Sequence, residues 1–270
     1  MKILLNKSDL NEALSGCANL GFVPTMGSLH EGHISLIKKS LKYCEKTIVS
    51  IFINPKQFNN KNDYKRYPRN NKKDLSIIKK LKIDYLYLPK KNTIYESKRK
   101  LKITLANKDK ILCAKFRKGH FEGVIDVMDR MTNKIKPCKI FMGEKDFQQL
   151  YLVKKYFKNR YKSKIISCKT IRDKDKLALS SRNLLLNQYQ LKTARKLSQD
   201  LLLFKKKLYK KRVSKKILNL KKKKLITMYN IDIEYFELRN LFTLKISNTT
   251  KNSKIFIAYY INKIRLIDNF

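Results

Sequence analysis

Two of the chain's three histidines stand three residues apart in Pro24-Thr25-Met26-Gly27-Ser28-Leu29-His30-Glu31-Gly32-His33. An apolar run ends before Gly27, and an amphipathic pattern starts near Glu31, so the segment predicts a strand, a turn and a helix start. A helix N-terminus offers free N–H groups and the positive end of a dipole, which suit a phosphate. Gly32 keeps a side chain off that surface. His30 and His33 share one side of the first turn, where two imidazoles can bond phosphate oxygens whose charge grows during displacement. The alternatives are two surface histidines or a metal pair. Zinc helices prefer i, i+4 spacing with a third ligand, and His120 is the one histidine left to serve.

Three other segments bring chemistry-bearing residues to the ends of predicted strands. Asn54-Pro55-Lys56-Gln57-Phe58 follows a strand predicted over Thr47–Ile53, and its amides offer donor and acceptor to a substrate with hydroxyls and a carboxylate. Gly143-Glu144-Lys145-Asp146-Phe147-Gln148-Gln149 repeats the strand, glycine, helix order. Lys145 supplies a point charge for a phosphate, and Asp146 either caps the helix or bonds a ribose hydroxyl. Leu179-Ser180-Ser181-Arg182 places two hydroxyls and a guanidinium where they can clamp a leaving pyrophosphate. His120, in Gly119-His120-Phe121-Glu122-Gly123-Val124, reads equally as a ligand contact or as a structural residue at a helix start.

The elements that must position these segments alternate short apolar strands with amphipathic helices. Helices are predicted from near Glu31 to about Glu45, and over Asp74–Lys82, His120–Lys136 and Asp146–Tyr161. Strands are predicted over Ile83–Leu88, Leu101–Leu105, Lys139–Met142 and Lys164–Ile171. This rhythm predicts an α/β fold, a Rossmann-like parallel sheet with helices on both faces. Past Arg182 a long helix, Gln188–Lys211, precedes a lysine-rich helix and two strand-like runs, Ile231–Leu238 and Lys254–Ile261, as in a smaller α+β domain. The division expected is 1–174 and 175–270, the second domain closing over the site of the first.

Composition bounds the partners. The chain has 270 residues and 64 Lys+Arg against 21 Asp+Glu, for a formal charge of +43. At 43% hydrophobic residues it can bury a core despite that charge. Only 12 of the basic residues are Arg, and the lysines spread through almost every segment rather than gathering on one reading face. A specific nucleic-acid partner is therefore not expected, although Lys215–Lys224 can attract polyanions. No run approaches the ~18 apolar residues of a membrane span. The five cysteines lie 25 or more residues apart with no C-x-x-C pair, as expected of reduced thiols in the cytoplasm.

Taken together, Pro24–His33, Val49–Phe58, Arg66-Tyr67-Pro68-Arg69, Gly119–Val124, Gly143–Leu150, Leu177-Ala178-Leu179-Ser180-Ser181-Arg182-Asn183 and Arg265-Leu266-Ile267-Asp268-Asn269 occur in one order along the chain. The first resembles the H-x-G-H signature of nucleotidyltransferases related to class I aminoacyl-tRNA synthetases. The whole set resembles the pantothenate synthetase (pantoate–β-alanine ligase) family. The resemblance implies condensation of pantoate with β-alanine through a pantoyl adenylate, with ATP as a substrate, Mg²⁺ carried on the phosphates, no metal held by the protein, and a homodimer. It implies ATP contacts from Met26, Gly27, Ser28, Leu29, His30, Glu31, Gly32, His33, Gly143, Glu144, Lys145, Asp146, Ile171, Leu179, Ser180, Ser181 and Arg182. It further implies pantoate contacts from Gln57 and Gln149, and β-alanine beside Gln57. His33 is the candidate catalytic residue, a proton donor to the developing phosphate charge. The chain departs from the family pattern at Lys56, usually apolar, and at Lys176, usually glycine.

Overall fold

In the computed structural model, residues 1–95, 103–209 and 211–270 are described. Runs rich in β-branched and aromatic residues form the strands, and Asn or Ser caps stand at several helix starts. The chain divides into two compact units, Met1–Lys169 and Thr170–Phe270.

The first unit runs β1 (Lys2–Leu4), α1 (Lys7–Leu14), β2 (Leu20–Thr25), α2 (Glu31–Tyr43), β3 (Lys46–Ile51), α3 (Lys61–Arg66), α4 (Asn71–Lys80) and β4 (Tyr85–Tyr87). It continues α5 (Lys91–Tyr95), α6 (Cys113–Phe116), α7 (His120–Ile135), β5 (Lys139–Gly143), α8 (Phe147–Phe157) and β6 (Lys164–Cys168). The six strands are all parallel, in the order β1-β4-β3-β2-β5-β6. Consecutive strand residues point to opposite faces, and β3 illustrates what covers each. Val49 packs with Leu36 and Ile37 of α2, whereas Ser50 Oγ reaches Met131 Sδ of α7 at 3.8 Å. Helices therefore lie on both faces. Val23, Phe141 and Ile37 are fully buried between them, each contributing roughly 1.5–3 kcal/mol.

The strand order reverses at β2. Chain growth runs outward from β2 through β3 to β4, then returns across to β5 and β6. β2 pairs with β3 along all of Leu20–Thr25, but with β5 only at Gly21–Lys139 and Phe22–Ile140. The carboxyl halves of β2 and β5 thus separate at the reversal, where open α/β sheets receive their ligands.

In the second unit, α9 (Gln188–Lys207) and α10 (Lys215–Tyr229) precede an antiparallel sheet, β7 (Asp232–Asn240), β8 (Ser253–Ile261) and β9 (Ile264–Asn269), in that order. Leu197, Leu201, Leu225, Phe236 and Ile257 form its core.

Several elements differ from expectation. The second sheet has three strands rather than a pair, because Ile264–Asn269 folds back on β8 across a two-residue turn at Asn262–Lys263. β1 and α1 have no counterpart in the sequence reading. The long helix stops at Lys207, four residues before Lys211. The predicted strand Leu101–Leu105 lies partly outside the described residues, and Ile103–Leu105 is not in a strand. The division between units falls at Lys169/Thr170 rather than after residue 174. Asp173 N donates to Leu177 O at 2.9 Å and Arg172 pairs with Asp268 at 2.7 Å, so 170–174 belongs to the second unit. Among the described residues, no helix is long and apolar enough to cross a membrane.

Candidate active site

The turn after β2 is built from two consecutive left-handed residues, Gly27 (φ 76°) and Ser28 (φ 51°). A β-carbon on Gly27 would come within 2.9 Å of Asp74 Oδ2 and 3.1 Å of Ile51 Cγ2. Asp74, 1% exposed in α4, accepts Ser28 N–H on one oxygen and Leu29 N–H on the other, both at 2.7 Å. Thr25 Oγ1 accepts Gly27 N–H at 3.2 Å and donates to Ser50 O at 2.7 Å.

His30 is the N-cap of α2. Its Nδ1 accepts Gly32 N–H at 3.1 Å, and His33 Nδ1 accepts His30 N–H at 3.4 Å, a reciprocal capping box made of imidazoles. His33 N–H donates to His30 O at 2.8 Å. The open cluster of N–H groups expected here is thus largely used within the helix start. The second nitrogen of each ring takes no part in this cap. Because both Nδ1 atoms accept, both rings carry their hydrogen on Nε2. The rings lie 4.1 Å apart between centroids. Burial, with the Lys145 charge second, pushes His30 down to about 4 despite the opposing Asp146. Burial, then His30 and Lys145, pushes His33 down to about 3. Both imidazoles are neutral near pH 7.

Lys145 acts on both histidines, so the Gly143–Asp146 segment at the end of β5 shares the electrostatics of the turn after β2. Glu144–Asp146 forms one 3₁₀ turn before α8. Asp146 is exposed, makes no side-chain cap to α8, and lies 3.7 Å from Lys145 Nζ. The cap that the sequence offered as one option is not formed. Gln149 sits half-buried on the first turn of α8.

Gln57 is buried in the 3₁₀ turn Pro55–Gln57. Its Oε1 accepts from Asn54 Nδ2 at 3.3 Å, and its Nε2 lies 2.8 Å from Met26 Sδ, joining this turn to the residues after β2. Asn54 also donates to Gly123 O at 3.0 Å and accepts from Tyr95 Oη at 2.8 Å. A β-carbon on Gly123 would stand 2.3 Å from Lys56 O, so only glycine lets α7 approach this turn. His120 Nδ1 is 2.6 Å from Gln57 O, and Arg117 Nη1 is 3.0 Å from His120 Nε2. The Gly119–Val124 block, ambiguous in sequence, therefore holds the Gln57 turn from behind. Lys56 points outward, pairing with Asp126 at 3.1 Å and lying over the Tyr95 ring at 4.0 Å, which explains how a charge is tolerated there.

In the second unit, Leu179 N–H donates to Ile171 O at 3.0 Å, and Ser180 Oγ accepts Arg182 N–H at 3.3 Å to cap the 3₁₀ turn Ser181–Leu185. Ile171 and Leu179–Arg182 are thereby adjacent. Lys176, in the loop between them, has φ 72°, the left-handed conformation that a glycine adopts freely.

Sequence reasoning missed Asp74, which it read as the start of a helix. An acidic residue in a first turn is common, and no spacing links it to a turn 46 residues earlier. Among the described residues no group of three or more His, Cys, Asp or Glu side chains is placed to hold a metal ion.

Comparison with known proteins gives the family. The family described as Pantoate-beta-alanine ligase matches residues 2–270. The pantothenate synthetase of Endomicrobium trichonymphae is 40% identical, the match covering 100% of this chain and 97% of that protein. The crystal structure of pantothenate synthetase from Thermus thermophilus superposes with a TM-score of 0.93 at 29% identity, covering 100% of this chain and 99% of that one. The pantoate-beta-alanine ligase of Francisella tularensis, complexed with beta-gamma ATP and beta-alanine, gives a TM-score of 0.84 at 36% identity, covering 100% and 97%. With residues 2 to 270 matched, the chain belongs to the pantoate–β-alanine ligase family.

Proposed function

We propose that this chain condenses pantoate with β-alanine at the carboxyl ends of β2, β3 and β5, using ATP. The observation that carries the reading is the pair of neutral, half-buried imidazoles at the start of α2, sharing one electrostatic environment with Lys145 at the end of β5. In the first step a pantoate carboxylate oxygen attacks the α-phosphorus, and the bond from that phosphorus to the bridging oxygen breaks, releasing diphosphate. In the second step the β-alanine amine attacks the acyl carbon, the acyl–oxygen bond breaks, AMP leaves, and the amine proton passes to solvent. No covalent nucleophile is needed. Alignment of bound reactants supplies up to ~7–11 kcal/mol.

His30 and His33 donate Nε2–H hydrogen bonds to phosphate oxygens. A ring held near 3 in the free protein is neutral at pH 7, so His33 meets the phosphates as a hydrogen-bond donor through Nε2–H and stabilises the developing charge. Met26, Gly27, Ser28, Leu29, Glu31 and Gly32 shape the same surface, and Gly143, where a β-carbon would meet nothing within 4 Å, leaves room for the nucleotide. Lys145 supplies the point charge, and Glu144 and Asp146 complete the loop. Gln57, its carbonyl engaged by Asn54, presents its Nε2–H₂ to an acceptor of pantoate and stands beside β-alanine. Gln149 is the second amide for pantoate. Ile171, Leu179, Ser180, Ser181 and Arg182 are assigned to adenine and diphosphate on the family resemblance. Mg²⁺ would enter with ATP, held through its phosphates, and would offset their charge. A cytosolic homodimer belongs to the same reading, in keeping with five free thiols.

Coupled detection of AMP tests it. AMP should accumulate only with ATP, pantoate and β-alanine together, and pantoate alone should drive exchange of diphosphate into ATP. AMP release without pantoate, or no turnover with all three, would overturn the assignment.

A further inference from the structure

Asp74 lies in α4, outside every motif that points to ATP. It is 1% exposed, and both of its carboxylate oxygens are directed at one turn of another segment. The two N–H groups it receives belong to Ser28 and Leu29, themselves 4% and 5% exposed. Without Asp74 these would be buried donors with no solvent to turn to. The turn is also unfavourable by itself, since Ser28 holds φ 51° with a β-carbon. On its other side the fit is close, because a β-carbon on Gly27 would meet the same Asp74 Oδ2 at 2.9 Å.

We propose that Asp74 is a positioning residue for the adenylation reaction, a carboxylate latch that holds Met26–Leu29 in the one conformation that aims His30 and His33 at the phosphates. The inference rests on the assignment of that turn to ATP. It has a corollary: the Ser28 and Leu29 amides are engaged by the protein and do not bind phosphate. A fixed anion next to a triphosphate site makes sense only if its charge is consumed by the two amides, and the bidentate geometry does that. Neutralising the latch frees one N–H and lets the turn relax, so the loss should fall on the nucleotide and spare pantoate, which is held by Gln57 and Gln149.

The test compares Asp74→Asn with the wild type and with His33→Ala. Asparagine keeps the shape and one acceptor but sets an NH₂ against the second amide. ATP affinity, measured calorimetrically with a non-hydrolysable analogue, should weaken at least about tenfold, as for loss of a hydrogen bond to a charged group. The pantoate KM should stay within about twofold. The Ser28 and Leu29 amide protons should move upfield and exchange faster, a signature that a general loss of packing would not confine to two residues. Gly27→Ala, which pushes the carboxylate away from the other side, should reproduce the selective loss if Asp74→Asn does not fold. ATP affinity retained within about twofold in the folded variant, or equal damage to ATP and pantoate, overturns the latch. If His33→Ala also adenylates normally, the ATP assignment itself fails, and the two failures are told apart.

Discussion

Lys176 holds a left-handed backbone with a full side chain, and replacing it with glycine should stabilise the protein. The residue is exposed, its φ is 72°, and its N–H donates to Asp173 O at 3.0 Å within the turn that joins Arg172 to Ala178. No packing is lost on truncation. A β-carbon residue in this conformation carries about 1–2 kcal/mol of strain. Glycine removes it but adds about 0.4–1 kcal/mol of unfolded-chain entropy. The difference leaves a net gain of about 0.5–1 kcal/mol, equivalent to a rise in the unfolding midpoint of about 1–4 °C for a chain of this size. Lys176→Ala removes the same charge beside Asp173 and Asp175 but keeps the strain, so it should give no gain, and Lys176→Asn should fall between. The chain has no Trp, so far-UV circular dichroism under urea or heating is the assay. A Lys176→Gly variant less stable than wild type, with Lys176→Ala unchanged, would mean the position does not need a left-handed residue and the strain argument is wrong.

His33→Ala should slow adenylate formation at least ~100-fold, as for removal of one preorganised donor; near-normal single-turnover adenylation would remove His33 from the mechanism. Gln149→Ala should raise the pantoate requirement strongly and leave ATP binding close to unchanged, and equal damage to both ligands would show that α8 had shifted. In the free protein the His30 and His33 ring resonances should titrate near pH 4 and 3, and midpoints near 6.5 would contradict their burial. Because these folded-state values lie below the unfolded one, the unfolded chain takes up more protons between about pH 6.5 and 3. The histidine contribution to stability is therefore retained above about 6.5 and lost progressively as pH falls to about 3. Urea midpoints across that range measure it.

The blocks Pro24–His33, Asn54–Phe58, Gly143–Gln149 and Leu179–Arg182 were legible in the sequence, and so was the alternation of strand and helix that sets three of them at strand ends. Both signals are local: periodicity, a glycine at a turn and a polar residue at a helix start act within a few residues of one another. The same locality hid the rest. Ile264–Asn269 becomes a strand only because β8 offers it an edge, and Leu101–Leu105, as apolar on paper, was read as one without any such partner in view. His120 could not be told from a ligand contact until Gln57 O was found 2.6 Å from its ring, across 63 positions of chain. Asp74 carried no signal at all, since its partners Ser28 and Leu29 are 46 and 45 residues away. Residue spacing also predicted an open phosphate nest at the start of α2. Tertiary structure instead closed the Ser28 and Leu29 amides on Asp74, the helix start closed on its own histidines, and burial of those rings decided that they are neutral donors. Desolvation and long-range hydrogen bonds depend on which segments meet, and that is settled by the packing of the whole unit rather than by any stretch of residues within it.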